Sequence, residues 1–447
     1  MKTLTLLLVT ATPLAAQTTA KIPVRPLPAP SATSTETVRS LAAVRHLANG
    51  NVLVNDQAGR RVLLMDSTLK LISVVADSTS STASAYGPRP GGLIPYRGDS
   101  TLFVDPASMS MLVIAPAGTI ARVMAAPRPD DLPSLAGGPF GTPGFDANGR
   151  LVYRPFVRPF GRMGPGPVGL DGAPPAPPVL PDSEAIVRFD LATRKLDTAA
   201  FFKVYRPKMS VERDPGGGIR MQSTTNPLPV VDEWVVMSDG SIAIVRGQDY
   251  RVDFISADGT RTKGEKIPYE WQRLTDEDKS AFIDSTKAAM LRARAAGGAP
   301  GAGANTGFSM GGGGGMGQMV IRLDGPPGAG GAPPGGGREQ VIVGGGAPPG
   351  GPPIPTYVSP SELPDYKPVF GPNSVRADAD GRLWIRTIPT KPTPGAVYEV
   401  IDRSGKLVDR IMIPAGSAIV GFGAGGVVYL GMRDAAGIHV QRARVKQ

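Results

Sequence analysis

Asp380-Gly381-Arg382-Leu383-Trp384-Ile385, followed by Tyr398-Glu399-Val400-Ile401-Asp402-Arg403-Ser404-Gly405-Lys406-Leu407, says more about this chain than any single residue. It reads as a turn, an apolar strand, a second apolar strand, another turn and a further strand. Asp-Gly tolerates the positive φ that a two-residue hairpin turn demands. The first half recurs in Asn49-Gly50-Asn51-Val52-Leu53-Val54, Asp99-Ser100-Thr101-Leu102-Phe103-Val104 and Asn148-Gly149-Arg150-Leu151-Val152-Tyr153. It returns in Asp239-Gly240-Ser241-Ile242-Ala243-Ile244 and Gly425-Gly426-Val427-Val428-Tyr429-Leu430.

The second half follows each of the first five copies in chain order, for example as Val187-Arg188-Phe189-Asp190 to Leu196 and Phe254-Ile255 through Asp258-Gly259 to Lys263. Two hairpins per unit make a four-stranded antiparallel sheet, which must stack on copies of itself to bury both faces. Six such units predict an all-β fold, a six-bladed β-propeller. The second turn residue falls at 50, 100, 149, 240, 381 and 426, and the two long gaps, 91 and 141 residues, are one unit plus an insertion each. On these turns and strands, outside the insertions, the chain resembles six-bladed propellers of the NHL and TolB-like type, particularly exported bacterial members. That resemblance implies a fold and leaves the function open, because propellers host binding, hydrolysis, lyase chemistry and scaffolding alike.

The N-terminus, Met1-Lys2-Thr3-Leu4-Thr5-Leu6-Leu7-Leu8-Val9, is a basic tip on a short apolar run, ending at Ala15-Ala16-Gln17. This predicts a signal peptide over 1–16 and a periplasmic or secreted protein. Residues 17–36 read as a Pro, Ser and Thr-rich leader, and 37–447 as the propeller, with the N-terminal stretch expected to supply the outer strand of blade six. The 447 residues contain no cysteine, which excludes disulfides, thiolate metal sites, a cysteine nucleophile and a lipid-bearing cysteine. No stretch reaches the length of a membrane helix. Lys and Arg number 48 against 38 Asp and Glu, a net charge of +10 that favours anionic partners. Basic runs interleaved with aromatics are missing, so nucleic acid is not expected, and the protein is read as a monomer.

Three insertions, about 155–183, 206–229 and 268–367, are rich in Gly and Pro and are expected on one face of the propeller. The last holds one helix, with Thr275 as N-cap, acidic residues at 276–278, and Phe282, Ile283, Thr286 and Met290 along one side. Beyond Ala296 the tract is too Gly-rich to order itself.

Candidate site residues are arginines at strand ends facing the insertion-bearing side, Arg154, Arg246, Arg386 and Arg433, with Asn55 at the matching position of blade one. Guanidinium groups suit a carboxylate or phosphate ligand, and the competing reading pairs each with a neighbouring acid. His46 and His439 are the only histidines and stand in different parts of the fold, which excludes a multi-histidine metal site. Resemblance to propeller lactonases implies one axial divalent cation, for which Glu233 and Asn373 are the weak candidates. Phosphate-loop, dinucleotide and nucleophile-elbow motifs are missing, and no cofactor is expected. These features point to an exported, non-catalytic binding or scaffold module for a small anion or a protein partner. The alternative is a metal-dependent lactonase-type hydrolase at the axis.

Overall fold

The computed structural model describes residues 22–79, 84–137, 141–155, 181–213, 219–295, 319–321 and 356–446. The signal segment 1–16 and most of the insertion at 155–183 lie outside the described residues. The described chain is mostly β, organised as seven antiparallel-rich sheets with few helices.

Six of the sheets carry the repeated pattern, each built from four consecutive strands or from three completed by an N-terminal segment. Sheet one runs Leu41–His46, Val52–Asp56, Arg61–Met65 and Leu71–Ala76. Sheet two runs Gly92–Pro95, Thr101–Asp105, Ser110–Ile114 and Ile120–Ala125. Sheet three comprises Gly144–Phe145, Leu151–Tyr153, Ser183–Phe189 and Leu196–Lys203, and sheet four Glu233–Val236, Ile242–Arg246, Arg251–Ile255 and Arg261–Lys266. Sheet five is Phe370–Ala377, Leu383–Thr387, Val397–Ile401 and Leu407–Met412, extended by Val24–Pro26 pairing in parallel with its last strand. Sheet six is Ser417–Gly423, Val427–Arg433 and Ile438–Arg444, and its fourth strand is Ala32–Thr33, from the stretch 17–36 read as a leader.

The turns depart from the two-residue hairpin read from sequence. In four of the six repeats the loop closes with a doubled bond, as in Asp146 N–H to Arg150 O (2.9 Å) with Gly149 N–H to Asp146 O (2.8 Å). Only the glycines, Gly50, Gly149, Gly240 and Gly381, take positive φ there, while the Asn or Asp before them does not. This is the three-residue loop, a type I turn closed by a bulge glycine. In two of the four, the carboxylates of Asp146 and Asp378 add to it by accepting the backbone N–H groups two and four residues on, whereas Leu47 and Met237 hold that place in the others.

Each second strand is apolar at successive positions because both of its faces are covered. Leu151 and Tyr153 pack toward sheet two with Leu102 and Met111, whereas Val152 packs toward sheet four with Trp234 and Ile242. Leu383 and Ile385 likewise face Val235 and Val252 of sheet four, and Trp384 faces Val428 and Leu430 of sheet six. Leu53 meets Phe103 of sheet two, while Val52 and Val54 meet Tyr429 of sheet six. Alternation with period two thus feeds two cores instead of one core and solvent. Buried tyrosines tie four junctions: Tyr86 Oη donates to Asn55 (3.0 Å), Tyr153 Oη to Asp131 (2.8 Å), and Tyr250 Oη to Glu399, while Tyr429 Oη lies 2.8 Å from His46 Nδ1.

The seventh sheet comes from the insertions. Lys208–Arg213 and Ile219–Thr225 form a hairpin in the segment read as a linker, joined by Met319–Ile321 and, in parallel, by Thr356–Tyr357. Met319-Val320-Ile321 is an apolar, β-prone triplet within the Gly-rich tract, and the strand edge it joins supplies the pairing that glycine alone cannot. The expected helix spans Asp276–Ala295. Thr275 Oγ1 accepts from Asp278 N–H (3.2 Å) while the Asp278 carboxylate accepts from Thr275 N–H (3.0 Å), a reciprocal cap. Ile283 docks the helix on Leu228, Val358, Leu363 and Ile388, the last just beyond the second strand of sheet five. Among the described residues no helix is long and apolar enough to cross a membrane.

Candidate functional site

The first strand of sheet five carries a wider irregularity than the single-residue register shifts in the first strands of sheets one and six. Phe370 pairs with Thr387, and the next pairing is Val375 with Ile385, so Gly371-Pro372-Asn373-Ser374 bulges out opposite Arg386. Pro372 has no N–H to give a ladder, and Asn373 adopts φ 58°, a left-handed conformation that Asn accepts more readily than most residues. Ser374 Oγ closes the bulge on Gly371 O at 2.6 Å.

The bulge turns the Asn373 N–H toward the Glu233 carboxyl at the start of the innermost strand of sheet four. Three guanidiniums face that carboxyl electrostatically: Arg376 from the same strand as Asn373, Arg154 from the end of the second strand of sheet three, and Arg386. Burial pushes the Glu233 acid up to about 7, outweighing the Asn373 hydrogen bond and the three positive charges, which pull the other way. Near neutral pH the cluster therefore exchanges a proton and keeps an excess of positive charge.

The sequence-derived arginines do not form one site. Arg154 and Arg386 meet at Glu233, but Arg154 is also ion-paired to buried Glu184, which takes Arg206 on its other oxygen. Arg246 is held between Asp232 (2.7 Å) and Asp253 (2.8 Å). Asn55 is fully buried, donating to Gly91 O at 2.9 Å and accepting from Tyr86, so it joins sheets one and two. Arg433 is exposed beside the junction of sheets six and one. His46 contacts Tyr429, and burial with nearby Arg442 and Arg45 lowers its pKa, while His439 donates to Ser34 O and pairs with Asp434 at 3.1 Å.

Arg386 differs from its counterparts. It is half-buried, and its side chain makes no hydrogen bond or ion pair with a described residue. Arg376 was not singled out in the sequence, although Gly371-Pro372-Asn373 within a strand signals the bulge that brings it in. Glu233 and Asn373 do meet, yet three guanidiniums around one carboxyl repel a cation. Among the described residues no group of three or more His, Cys, Asp or Glu is placed to hold a metal.

No family model matches the chain, and no curated protein matches it. Among solved structures it is similar in overall path to a virginiamycin B lyase from Staphylococcus aureus, at 9% identity, covering 92% of this chain and 98% of that one, with a TM-score of 0.36. A gluconolactonase from Xanthomonas campestris gives 11% identity, 94% and 99% coverage and a TM-score of 0.36. A luciferin-regenerating enzyme gives 10% identity, 92% and 93% coverage and a TM-score of 0.35.

Proposed function

We propose that the six repeated sheets are the blades of an exported six-bladed β-propeller, and that its Arg386 corner binds a small carboxylate or similar anion without chemical conversion. The blade reading is supported by six cores, each lying between consecutive sheets and the last between sheets six and one. The binding reading rests on Arg386, a half-buried guanidinium that makes no side-chain hydrogen bond or ion pair with a described residue and shares the Glu233 carboxyl with Arg376 and Arg154. A planar fork of donors in a partly desolvated corner suits a carboxylate, whose charge the surplus arginines neutralise.

Titration calorimetry with a panel of mono- and dicarboxylates tests this directly. Binding should be saturable, weaken about tenfold in Arg386→Ala, and strengthen in Glu233→Gln, which removes the competing negative charge. A second reading, a metal-dependent hydrolase of lactone type, is favoured by one observation: an acid that titrates near 7 is matched to proton transfer at neutral pH. A calcium- or zinc-dependent rise in melting temperature that disappears in Glu233→Ala would establish that reading in place of the first.

A further inference from the structure

A second basic pocket, separate from the Arg386 corner, opens where sheets six and one meet, with a volume of about 760 Å³. Its walls come from three places. Residues 36–39 cross from the outer strand of sheet six to sheet one, Gly59 and Arg61 belong to the second hairpin of sheet one, and Arg433 ends the second strand of sheet six.

The charges in it divide into two groups. Arg61 is already neutralised: it pairs with Glu36 at 3.0 Å and with Asp56 at 3.1 Å, and Asp56 is fully buried and also accepts from Arg39 N–H, Ser40 N–H and Gly59 N–H. The Arg39 and Arg433 side chains make no hydrogen bond or ion pair with a described residue. The nearby Asp434 carboxylate is turned away, accepting from Ala436 and Gly437 N–H and meeting His439. Two unneutralised guanidiniums thus share an open pocket with one already paired acid.

We propose that this pocket binds a phosphate or carboxylate group carried on a sugar-sized molecule, Arg39 and Arg433 gripping the anion while Arg61, pinned by Asp56 and Glu36, shapes the floor. Two guanidiniums from different sheets favour oxyanions because each offers paired donors. A pocket of this volume leaves room for a polar ring beside the anion.

The probes are inorganic phosphate, glucose 6-phosphate and glucuronate, measured by calorimetry at low salt on the full chain carrying Arg386→Ala, so that the corner proposed above does not contribute. Saturable binding is expected for at least one, at about 1 mM or tighter. Arg433→Ala should weaken it about tenfold, and the double variant Arg39→Ala with Arg433→Ala should abolish it. Glu36→Gln should strengthen it, and because the background lacks the Arg386 guanidinium, the response to these variants separates this site from the corner proposed above. Arg39 and Arg433 are exposed, so these variants should melt as the wild type does. Absence of saturable binding for all three probes, or binding unaffected by the double variant, overturns the proposal. Binding seen in the wild-type chain but absent from the Arg386→Ala background would overturn it equally, by moving the anion to the other site.

Discussion

Replacing Glu233 by Gln should make the protein more stable in mild alkali and leave it unchanged in acid. Burial raises this acid from its ordinary 4.5 to about 7, with Arg376, Arg154 and Arg386 opposing the shift. Between those values the folded chain holds a proton that the unfolded chain has lost, so wild-type stability falls as pH rises through this window. Holding an acid protonated about 2.5 pH units beyond its ordinary range corresponds to roughly 3 kcal/mol. Solvent reaches part of the side chain, which makes that figure a ceiling. Gln keeps an oxygen to accept the Asn373 N–H and carries no charge to desolvate. At pH 8 the variant should gain up to about 3 kcal/mol, a rise in melting temperature of roughly 3 °C for a chain of this size, and at pH 4.5 the gain should vanish. Thermal and urea melts of both proteins from pH 4.5 to 8.5 read this out. An equal gain at both ends would mean altered packing, and no gain at pH 8 would mean the carboxyl is not desolvated as argued.

Tyr250→Phe should cost about 1–3 kcal/mol in urea melts, because it leaves buried Glu399 with Arg410 alone, at 2.9 Å. Ile283→Ala should loosen the helix from Leu228 and Ile388 by about 2–4 kcal/mol, exposing it to limited proteolysis while the main melting transition stays in place. Exchanging 297–353 for a short Gly-Ser linker should leave that transition nearly unchanged, since closure entropy changes by only about 0.6 kcal/mol per doubling of loop length. The strand Met319–Ile321 would be lost with it, so the hairpin Lys208–Arg213 and Ile219–Thr225 should exchange its amide protons faster. If the main transition collapses instead, the tract is part of a core that the sheets need.

The sequence by itself determined the repeated strands, their order within each sheet and the place of the inserted helix, because turn glycines and period-two apolar runs act locally. It also announced the turn glycines, although four of the loops run to three residues in place of two, two of them with the carboxylates of Asp146 and Asp378 accepting backbone N–H groups. Tertiary structure alone decided which arginines are already paired. Arg154, Arg246 and Arg386 stand at the end of the second strand in three repeats, yet the first meets Glu184, the second meets Asp232 and Asp253, and the side chain of the third meets no hydrogen-bonding partner among the described residues. Those partners lie 7 to 30 residues away on or beside neighbouring strands of the same sheet, and the register of strand pairing, which the alternation of apolar residues leaves open, brings them to the guanidinium. Charge neutralisation is a property of which side chains meet in space, so a candidate binding arginine and a structural one read alike until the strands are paired.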